Sequence, residues 1–435
     1  MSQISFGRRE FLKGSSAVVG AGLLASLAAC GGGSSDTATS AGSDTGSDAA
    51  PAASDFKAGF IFLHDENSTY DKNFMDGAKA ACEELGVTAV LKTNIGESEA
   101  CQETAEDLAD QGCGIVFADS FGHEDYMIEA AKAYPEVQFS HATGTKAHTE
   151  GLDNYHNAFA SIYEGRYLAG VAAGLKLNEM IAAGTITADK AHMGYVGAYT
   201  YAEVISGYTS FYLGAKSVCP TVTMDVTFTG SWYDQTAEQE AAARLIDEYG
   251  CVLISQHADS MGAPSACEER GVPNVSYNGS TVDACPNTFI VSSRIDWAPY
   301  YKYAIQAAMN GDPIDTDWTG TLATGSVVLT DINPKAAAEG TQDAIDKALK
   351  DLESGDVHVF DTSTFTVTVS DTTNANATVD GSGVMTSYMA DVDTDADFQG
   401  DTEAVSDGYF HESEYRSAPY FDVQIDGITL LDTQF

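Results

Sequence analysis

Short apolar runs alternate with longer amphipathic segments along most of the chain from Lys57 onward. Residues 58–63 form an apolar run of strand length, and the apolar residues that follow recur at helical spacing, at Phe74, Ala78, Ala81 and Leu85. A strand, a helix and a further strand predict a parallel βαβ unit, because two parallel strands need a crossover between them. The pattern therefore predicts an α/β fold.

The alternation runs through two successive parts of the chain. In the first part we predict strands at residues 58–63, 88–92, 114–118 and 137–141, and helices from Phe74, at 99–111, at 124–134 and, rich in Ala and Gly, at 158–180. In the second part we predict strands at 192–197, 223–229, 252–256, 274–277 and 289–292, and helices at 203–216, 235–249, 260–270 and 297–309. Two α/β lobes of similar design are expected.

The character of the chain changes after Gly355. This region is rich in Asp and Thr, with β-branched runs at 364–369 and 421–425, and we predict short strands and loops, partly disordered at 391–406. The expected domains are an N-terminal lobe (55–190), a C-terminal lobe (191–300), a hinge return with crossover elements (301–355) and an acidic β-rich extension (356–435).

The first residues carry a targeting signal rather than a fold. Arg8 and Arg9, an apolar run and the sequence Leu-Ala-Ala-Cys ending at Cys30 predict a twin-arginine lipoprotein signal over residues 1–30, with Cys30 lipidated. The alternative is an ordinary signal peptide in which Cys30 is incidental. Residues 31–54 have no large apolar side chain and are expected to form a flexible linker. We therefore expect a domain held by lipid at the extracytoplasmic face of the cell membrane.

Charge and hydropathy exclude several classes of partner. The formal net charge is −43, which argues against binding to nucleic acid or to anionic lipid by charge. No segment after the signal has the roughly 18 unbroken apolar residues of a membrane span.

Seven cysteines remain when Cys30 is set aside, and export permits disulfides. Cys82 ends a predicted helix and Cys113 begins a predicted strand, and Cys219 and Cys251 occupy the same two places later in the chain. We therefore predict three bridges, with Cys101 unpaired: Cys82–Cys113, Cys219–Cys251 and Cys267–Cys285. No CxxC spacing occurs, so we expect no metal site, and no cofactor is predicted.

Several short motifs follow one another in the order typical of one family. They are Tyr70-Asp-Lys-Asn-Phe74, the stretch from Ala131 to Phe139, Ile162-Tyr-Glu-Gly-Arg-Tyr-Leu-Ala-Gly170, Gly230-Ser-Trp-Tyr-Asp234 and Ser255-Gln-His-Ala-Asp-Ser260. Together they resemble the basic membrane protein family of ABC-transporter binding lipoproteins. The resemblance extends from about Lys57 to Leu329 and does not cover the extension.

The resemblance implies the type I periplasmic binding fold, in which two doubly wound lobes are joined by a hinge. It implies a small-molecule ligand, a purine base or nucleoside, in the cleft at the carboxyl ends of the strands. It also implies delivery of that ligand to an ABC permease by a protein that acts as a monomer. The alternative is a sensor that presents the ligand to a membrane receptor kinase or chemoreceptor.

Five ligand-binding residues are carried over from the resemblance. Phe74 and Trp232 would stack on the ligand ring from the two lobes, although Phe74 also fits an ordinary core position. Asp65, Asp259 and Asn278 would supply polar contacts, although Asp259 also fits a helix N-cap.

Two departures from the family pattern leave the identity of the ligand open between a free base and a nucleoside. Met75 stands where an amide would read the base, and no acid follows Phe139. His141 is a further candidate contact, with a core histidine as the favoured reading. We expect no catalysis, because neither Ser120 with its neighbours nor the histidines have the spacing of a known catalytic motif.

Overall fold

The computed structural model describes residues 55–392 and 400–432. The predicted signal peptide, the linker and Cys30 lie outside these residues.

Five parallel strands and the helices between them form most of the first lobe. These elements are β1 (Lys57–Ile61), α1 (Thr69–Leu85), β2 (Thr88–Lys92), α2 (Glu99–Asp110), β3 (Cys113–Ala118), α3 (Glu124–Ala133), β4 (Gln138–Ala142), α4 (Ala147–Glu150) and β5 (Tyr155–Ala160).

The second lobe repeats the alternation. Its elements are α5 (Ile162–Ala182), β6 (His192–Gly197), α6 (Ala202–Val218), β7 (Thr223–Phe228), α7 (Gln235–Asp247), β8 (Leu253–Gln256), α8 (Gly262–Arg270), β9 (Asn274–Tyr277) and β10 (Phe289–Ile295).

The chain then crosses between the lobes twice more. Helix α9 (Ala298–Asn310) packs on α1, and β11 (Asp317–Gly320) pairs with β5 in the first sheet. Strand β12 (Val327–Leu329) returns to pair antiparallel with β10, and α10 (Thr341–Ser354) packs on α5.

The remaining residues form short strands on the second lobe. They are β13 (Ala377–Val379), β14 (Met385–Ala390), β15 (Thr402–Glu403), β16 (Val405–Ser406), β17 (Tyr409–Phe410) and β18 (Ile428–Leu430). The first sheet has the order β11-β5-β4-β3-β1-β2, and the second has the order β12-β10-β9-β8-β6-β7-β18. Two mainly parallel sheets with helices between their strands confirm the predicted α/β architecture.

Helix α5 is the central helix of the second lobe. A Cβ at Gly170 would lie 2.1 Å from the carbonyl oxygen of Phe211 in α6, and one at Gly214 would lie 2.0 Å from that of Tyr167. Only glycine permits this approach, which explains the Gly-rich sequence. The apolar residues of α5 share a core with the second sheet, so this helix belongs structurally to the second lobe although it precedes the boundary expected at residue 190.

The three predicted disulfides are wrong. The seven cysteines among the described residues are all free and buried. Cys82 packs beside α9 while Cys113 packs beneath α2 and α3, so the first sheet separates them. The second sheet separates Cys219, which packs with α5 and α6, from Cys251, which packs with α7 and α8.

The third predicted pair differs in its geometry. Cys267 and Cys285 lie close enough for charge on one to affect the other, yet both thiols are free.

Candidate ligand-binding site

A cavity of about 360 Å³ lies between the lobes, where the carboxyl ends of the two sheets face each other. The first lobe lines it from the segments that follow β1, β3 and β4 and from the first turn of α1, and the second lobe lines it from the segments that follow β6, β7 and β8. The lining residues are Leu63, His64, Tyr70, Asp71, Ser120, Phe121, Thr143, Glu203, Trp232, His257 and Asp259. This volume includes space that is open to solvent.

Asp71 is the best-bonded acid of the cavity. The backbone N–H of His64 donates to its Oδ1 (2.7 Å), the Ser68 hydroxyl donates to its Oδ2 (2.6 Å), and His64 Nδ1 lies 3.2 Å from the same oxygen. Burial alone would raise the pKa of this carboxyl, but the hydrogen bonds from His64 and Ser68 outweigh burial and lower it. Asp71 is therefore a carboxylate that accepts hydrogen bonds.

Asp119 lies next to Asp71, and its pKa is shifted in the opposite direction. Burial, followed by the negative charge of Asp71, holds its pKa well above the usual range. One carboxyl oxygen accepts from the Leu63 backbone N–H (3.2 Å), and the other has no hydrogen-bond partner. The Tyr70 hydroxyl donates to the Asp119 carbonyl oxygen (2.7 Å), which fixes the Tyr70 ring beside the cavity.

Asp259 is the matching acid of the second lobe. Burial is the main cause that raises its pKa well above the usual range, and the charge of Asp71 adds to it. Its backbone N–H donates to the Trp232 carbonyl (2.9 Å), and its own carbonyl accepts from the Thr69 N–H of the first lobe (3.1 Å). Asp259 is therefore a buried acid with a raised pKa at the contact between the lobes.

Arg166 is a buried arginine on the second-lobe side of the cavity. Arg166 Nη2 donates to the Gln256 carbonyl (2.9 Å) and to the Tyr195 hydroxyl, and the guanidinium carbon lies 4.0 Å from the centre of the Tyr277 ring. Burial lowers its pKa to about 10, so the side chain stays charged at neutral pH. This positive charge partly balances the acids of the cavity.

Aromatic rings surround the cavity from both lobes. Trp232 is half-buried and meets Tyr199 edge to face, with 5.0 Å between ring centres. Phe121 of the first lobe stacks on Tyr201 of the second at 4.9 Å, and both rings are 39% exposed. This stack closes one side of the contact between the lobes.

Comparison with known proteins identifies the family. The model of the family described as ABC transporter substrate-binding protein PnrA-like matches residues 62–357. The chain belongs to this family. Proteins of the family bind solutes and are not enzymes, and this chain is an ABC transporter solute-binding protein.

Two curated relatives differ in the ligand that their names give. A purine-binding protein of Brucella abortus is 33% identical over 268 residues, which cover 60% of this chain and 71% of that protein. A putative ABC transporter glucose-binding protein of Haloferax volcanii is 32% identical over 235 residues, which cover 54% of this chain and 56% of that protein.

Solved structures confirm the fold. An ABC transporter solute-binding protein from Aeropyrum pernix superposes with a TM-score of 0.58 at 18% identity, covering 73% of this chain and 94% of that one. None of the helices in the described part of the substrate-binding protein is long and apolar enough to cross a membrane.

The five residues expected to bind ligand fall in different places. Trp232 and Asp259 line the cavity. Asn278 has a left-handed backbone (φ 63°), and its buried Nδ2 has no hydrogen-bond partner among the described residues. Phe74 is 1% exposed, outside the lining, and Asp65 caps a turn by accepting from the backbone and side chain of Asn67.

Sequence reasoning missed several lining residues, although one of them, His257, lies within the motif from Ser255 to Ser260. His64, Glu203 and His257 each lie a few residues beyond the carboxyl end of a strand, which is the signal that could have found them. Tyr70 and Asp71 lie within the motif that ends at Phe74, in the turn that faces the cavity. His141 is a core residue, with Nε2 2.6 Å from the Ser120 carbonyl and a pKa that burial lowers to about 4.

Proposed function

We propose that this protein is an extracytoplasmic lipoprotein of an ABC importer, which holds a purine base or purine nucleoside between its lobes and delivers it to the permease. The observation that carries the proposal is a cavity that combines aromatic rings from both lobes with two carboxyl groups whose pKa values are shifted in opposite directions.

Aromatic rings favour a flat ligand. Tyr70 and Phe121 line the cavity from the first lobe and Trp232 lines it from the second, so a planar ring has π surfaces available on both sides. Stacking of a base on an aromatic side chain contributes about 1–3 kcal/mol.

The acids favour a ring whose edge carries both donors and acceptors. Hydrogen bonds outweigh burial and lower the pKa of Asp71, which favours an acceptor of hydrogen bonds, whereas burial raises the pKa of Asp259, which favours a carboxyl group that can donate. A purine edge offers both kinds of group, since an amino or ring N–H donates and the unprotonated ring nitrogens accept. The purine-binding relative supports this assignment, and the glucose-binding relative makes glucose the necessary comparison ligand.

Calorimetric titration of the purified protein with adenine, adenosine, uridine and glucose tests the ligand class. We expect heat of binding with adenine or adenosine and none with glucose. Trp232→Ala should weaken purine binding about 5- to 150-fold, which corresponds to the loss of one stacking partner. Trp232→Phe keeps a ring and should lose less, and Tyr249→Ala, on the surface of the second lobe, should bind as the wild type does. Binding of glucose alone would contradict the purine assignment.

Uptake and anchoring need separate experiments. Deletion of the gene should abolish uptake of the labelled purine, whereas normal uptake with a lost transcriptional or chemotactic response would favour the sensor alternative. Cys30→Ser should release the protein from the membrane and remove label derived from a radioactive fatty acid. A variant that keeps both the label and membrane association would contradict lipidation at Cys30.

A further inference from the structure

A second cluster of polar residues lies at the edge of the second sheet opposite to the ligand cavity. His192 is the first residue of β6, Thr223 is the first residue of β7, and Cys251 precedes β8. The cavity residues of this lobe follow the carboxyl ends of the same three strands. The cluster is therefore separate from the proposed ligand site and does not depend on it.

Three side chains of the cluster offer ligand atoms of different chemistry. The imidazole of His192, the carboxylate of Asp225 and the thiol of Cys251 each present one atom within 4.8 Å of the other two. His192 Nε2 lies 3.0 Å from Asp225 Oδ2. Within residues 55–392 and 400–432, this is the one group of three or more such side chains with that spacing.

The register of the sheet explains why these atoms meet. His192 pairs with Thr223 and Gly194 pairs with Asp225, so these four residues face the same side of two neighbouring strands. Gly194 leaves a gap that the thiol of Cys251 occupies, since a Cβ at Gly194 would lie 3.1 Å from Cys251 Sγ. The sulfur therefore rests directly beside the histidine and the aspartate.

A further contact orients the imidazole. His192 Nδ1 lies 2.8 Å from the Thr223 hydroxyl, which turns Nε2 toward Asp225. Histidines that bind metals have their second ring nitrogen held in this way. The His192 and Asp225 side chains are 21% and 11% exposed, so water can reach the cluster and complete a coordination sphere.

We propose that His192, Asp225 and Cys251 form a Zn²⁺ site with water as the fourth ligand. Donors bound to a tetrahedral zinc ion lie about 3.3–3.8 Å apart, so a small approach of the three atoms suffices. A mixed nitrogen, oxygen and sulfur set suits Zn²⁺, whereas Mg²⁺ and Ca²⁺ prefer oxygen alone. On binding, the thiol releases its proton to solvent and the thiolate becomes the ligand. The ion would connect three strands of the second sheet.

Cobalt substitution in the reduced, chelator-treated full-length protein tests the site. We expect one Co²⁺ per chain with a thiolate-to-cobalt charge-transfer absorption, and displacement of Co²⁺ by Zn²⁺. Cys251→Ser should abolish this absorption, and Thr223→Val should weaken the affinity about 10- to 100-fold by freeing the imidazole. Cys219→Ser, which removes a buried thiol of the same lobe outside the cluster, should behave as the wild type does.

Thermal unfolding gives a second readout. Zn²⁺ should raise the melting temperature of the wild type and of Cys219→Ser but not that of His192→Ala, because an ion that binds only the folded state stabilises it. No charge-transfer absorption in the wild type would overturn the proposal and leave only the ion pair between His192 and Asp225. An absorption that survives Cys251→Ser, or a disulfide at Cys251 in the isolated protein, would also overturn it.

Discussion

Two regions of the chain use their side chains differently. One is the region that the family model matches, and the other is the C-terminal segment, residues 358–392 and 400–432. The family region directs polar side chains from strand ends into the cavity. The C-terminal segment directs aromatic side chains into the core of the second lobe, where Phe360 stacks on Phe421 with ring centres 4.0 Å apart. The segment is therefore part of the second lobe, although it lies outside the family model.

The C-terminal segment also changes the edge of the second sheet. Strand β18 pairs with β7 in parallel register, so Thr429 lies opposite Asp225. Without it, β7 would leave a row of unpaired backbone groups at that edge.

The same segment reaches the first lobe. The Ser417 backbone N–H donates to Asp317 Oδ2 in β11 (2.8 Å), and the Thr319 hydroxyl donates to the Ser413 carbonyl (3.5 Å). A second cavity, open to solvent, lies beside these contacts, and it shares Phe121, Thr143 and Glu203 with the ligand cavity. The segment thus touches both lobes at the rim of the site, and we expect it to influence lobe closure.

The largest expected effect tests whether the C-terminal segment folds with the second lobe. Phe421→Ala removes a fully buried ring and should lower the free energy of unfolding by about 3–5 kcal/mol, measured by guanidinium denaturation. Val369→Ala, in the same segment and 38% exposed, should change it by less than about 0.5 kcal/mol. A separate early transition with the main transition unshifted would mean that the segment is an independent unit.

The next effect concerns a buried acid of the segment. Glu412 accepts from the Ser206 hydroxyl (3.3 Å) and the Tyr420 backbone N–H (3.1 Å), and burial raises its pKa to about 8. Because the folded-state pKa is higher than the unfolded value of about 4.3, the stabilising contribution is complete below about pH 4 and is lost as the pH rises through 8.

Glu412→Gln should remove this dependence. Relative to the variant, the wild type should lose about 2–3 kcal/mol of unfolding free energy between pH 6 and pH 8, measured by denaturation at each pH. Glu339→Gln, at an exposed position, should follow the wild type across the range. Parallel curves for wild type and Glu412→Gln would show that Glu412 titrates alike in both states.

The two regions also differed in how well the sequence predicted them. Strands β2, β6 and β9 have the predicted bounds. Strand β5 was missed, since its polar His156 and Asn157 interrupt the run although both are buried. In the C-terminal segment, the expected strand at 364–369 forms one isolated bridge, from Val367 to Ile425, a partner that lies far away in the sequence.

The sequence predicted only part of the ligand-binding site. Local pattern located the strand ends, and Trp232 and Asp259 follow them directly. Phe74 could not be distinguished from a ligand contact by sequence alone, since only the folded chain places Trp297 against it at 4.2 Å. The raised pKa of Asp119 depends likewise on the folded chain, first on burial and then on the charge of Asp71, which is distant in sequence.

A smaller effect is expected at the stack between the lobes. Tyr201 lines the second cavity but not the ligand cavity, so Tyr201→Ala removes its stack with Phe121 without removing a ligand contact. The loss of an aromatic pair of about 0.5–1.5 kcal/mol should weaken purine binding about 2- to 12-fold, mainly through faster dissociation in stopped-flow measurements. An unchanged dissociation rate would mean that the stack does not hold the lobes closed.

The smallest effect is expected where the C-terminal segment touches the first lobe. Asp317→Ala removes the acceptor for the Ser417 N–H, whereas Asp317→Asn keeps an oxygen in place. Because this bond joins the segment to the first lobe, its loss should disfavour closure of the lobes. We expect calorimetry to show purine binding that is about 2- to 5-fold weaker, which corresponds to a net hydrogen bond of at most about 1 kcal/mol. Asp317→Asn should bind close to wild type. Equal losses in the two variants would point to the charge near His148, 3.6 Å away, rather than to the contact with the C-terminal segment.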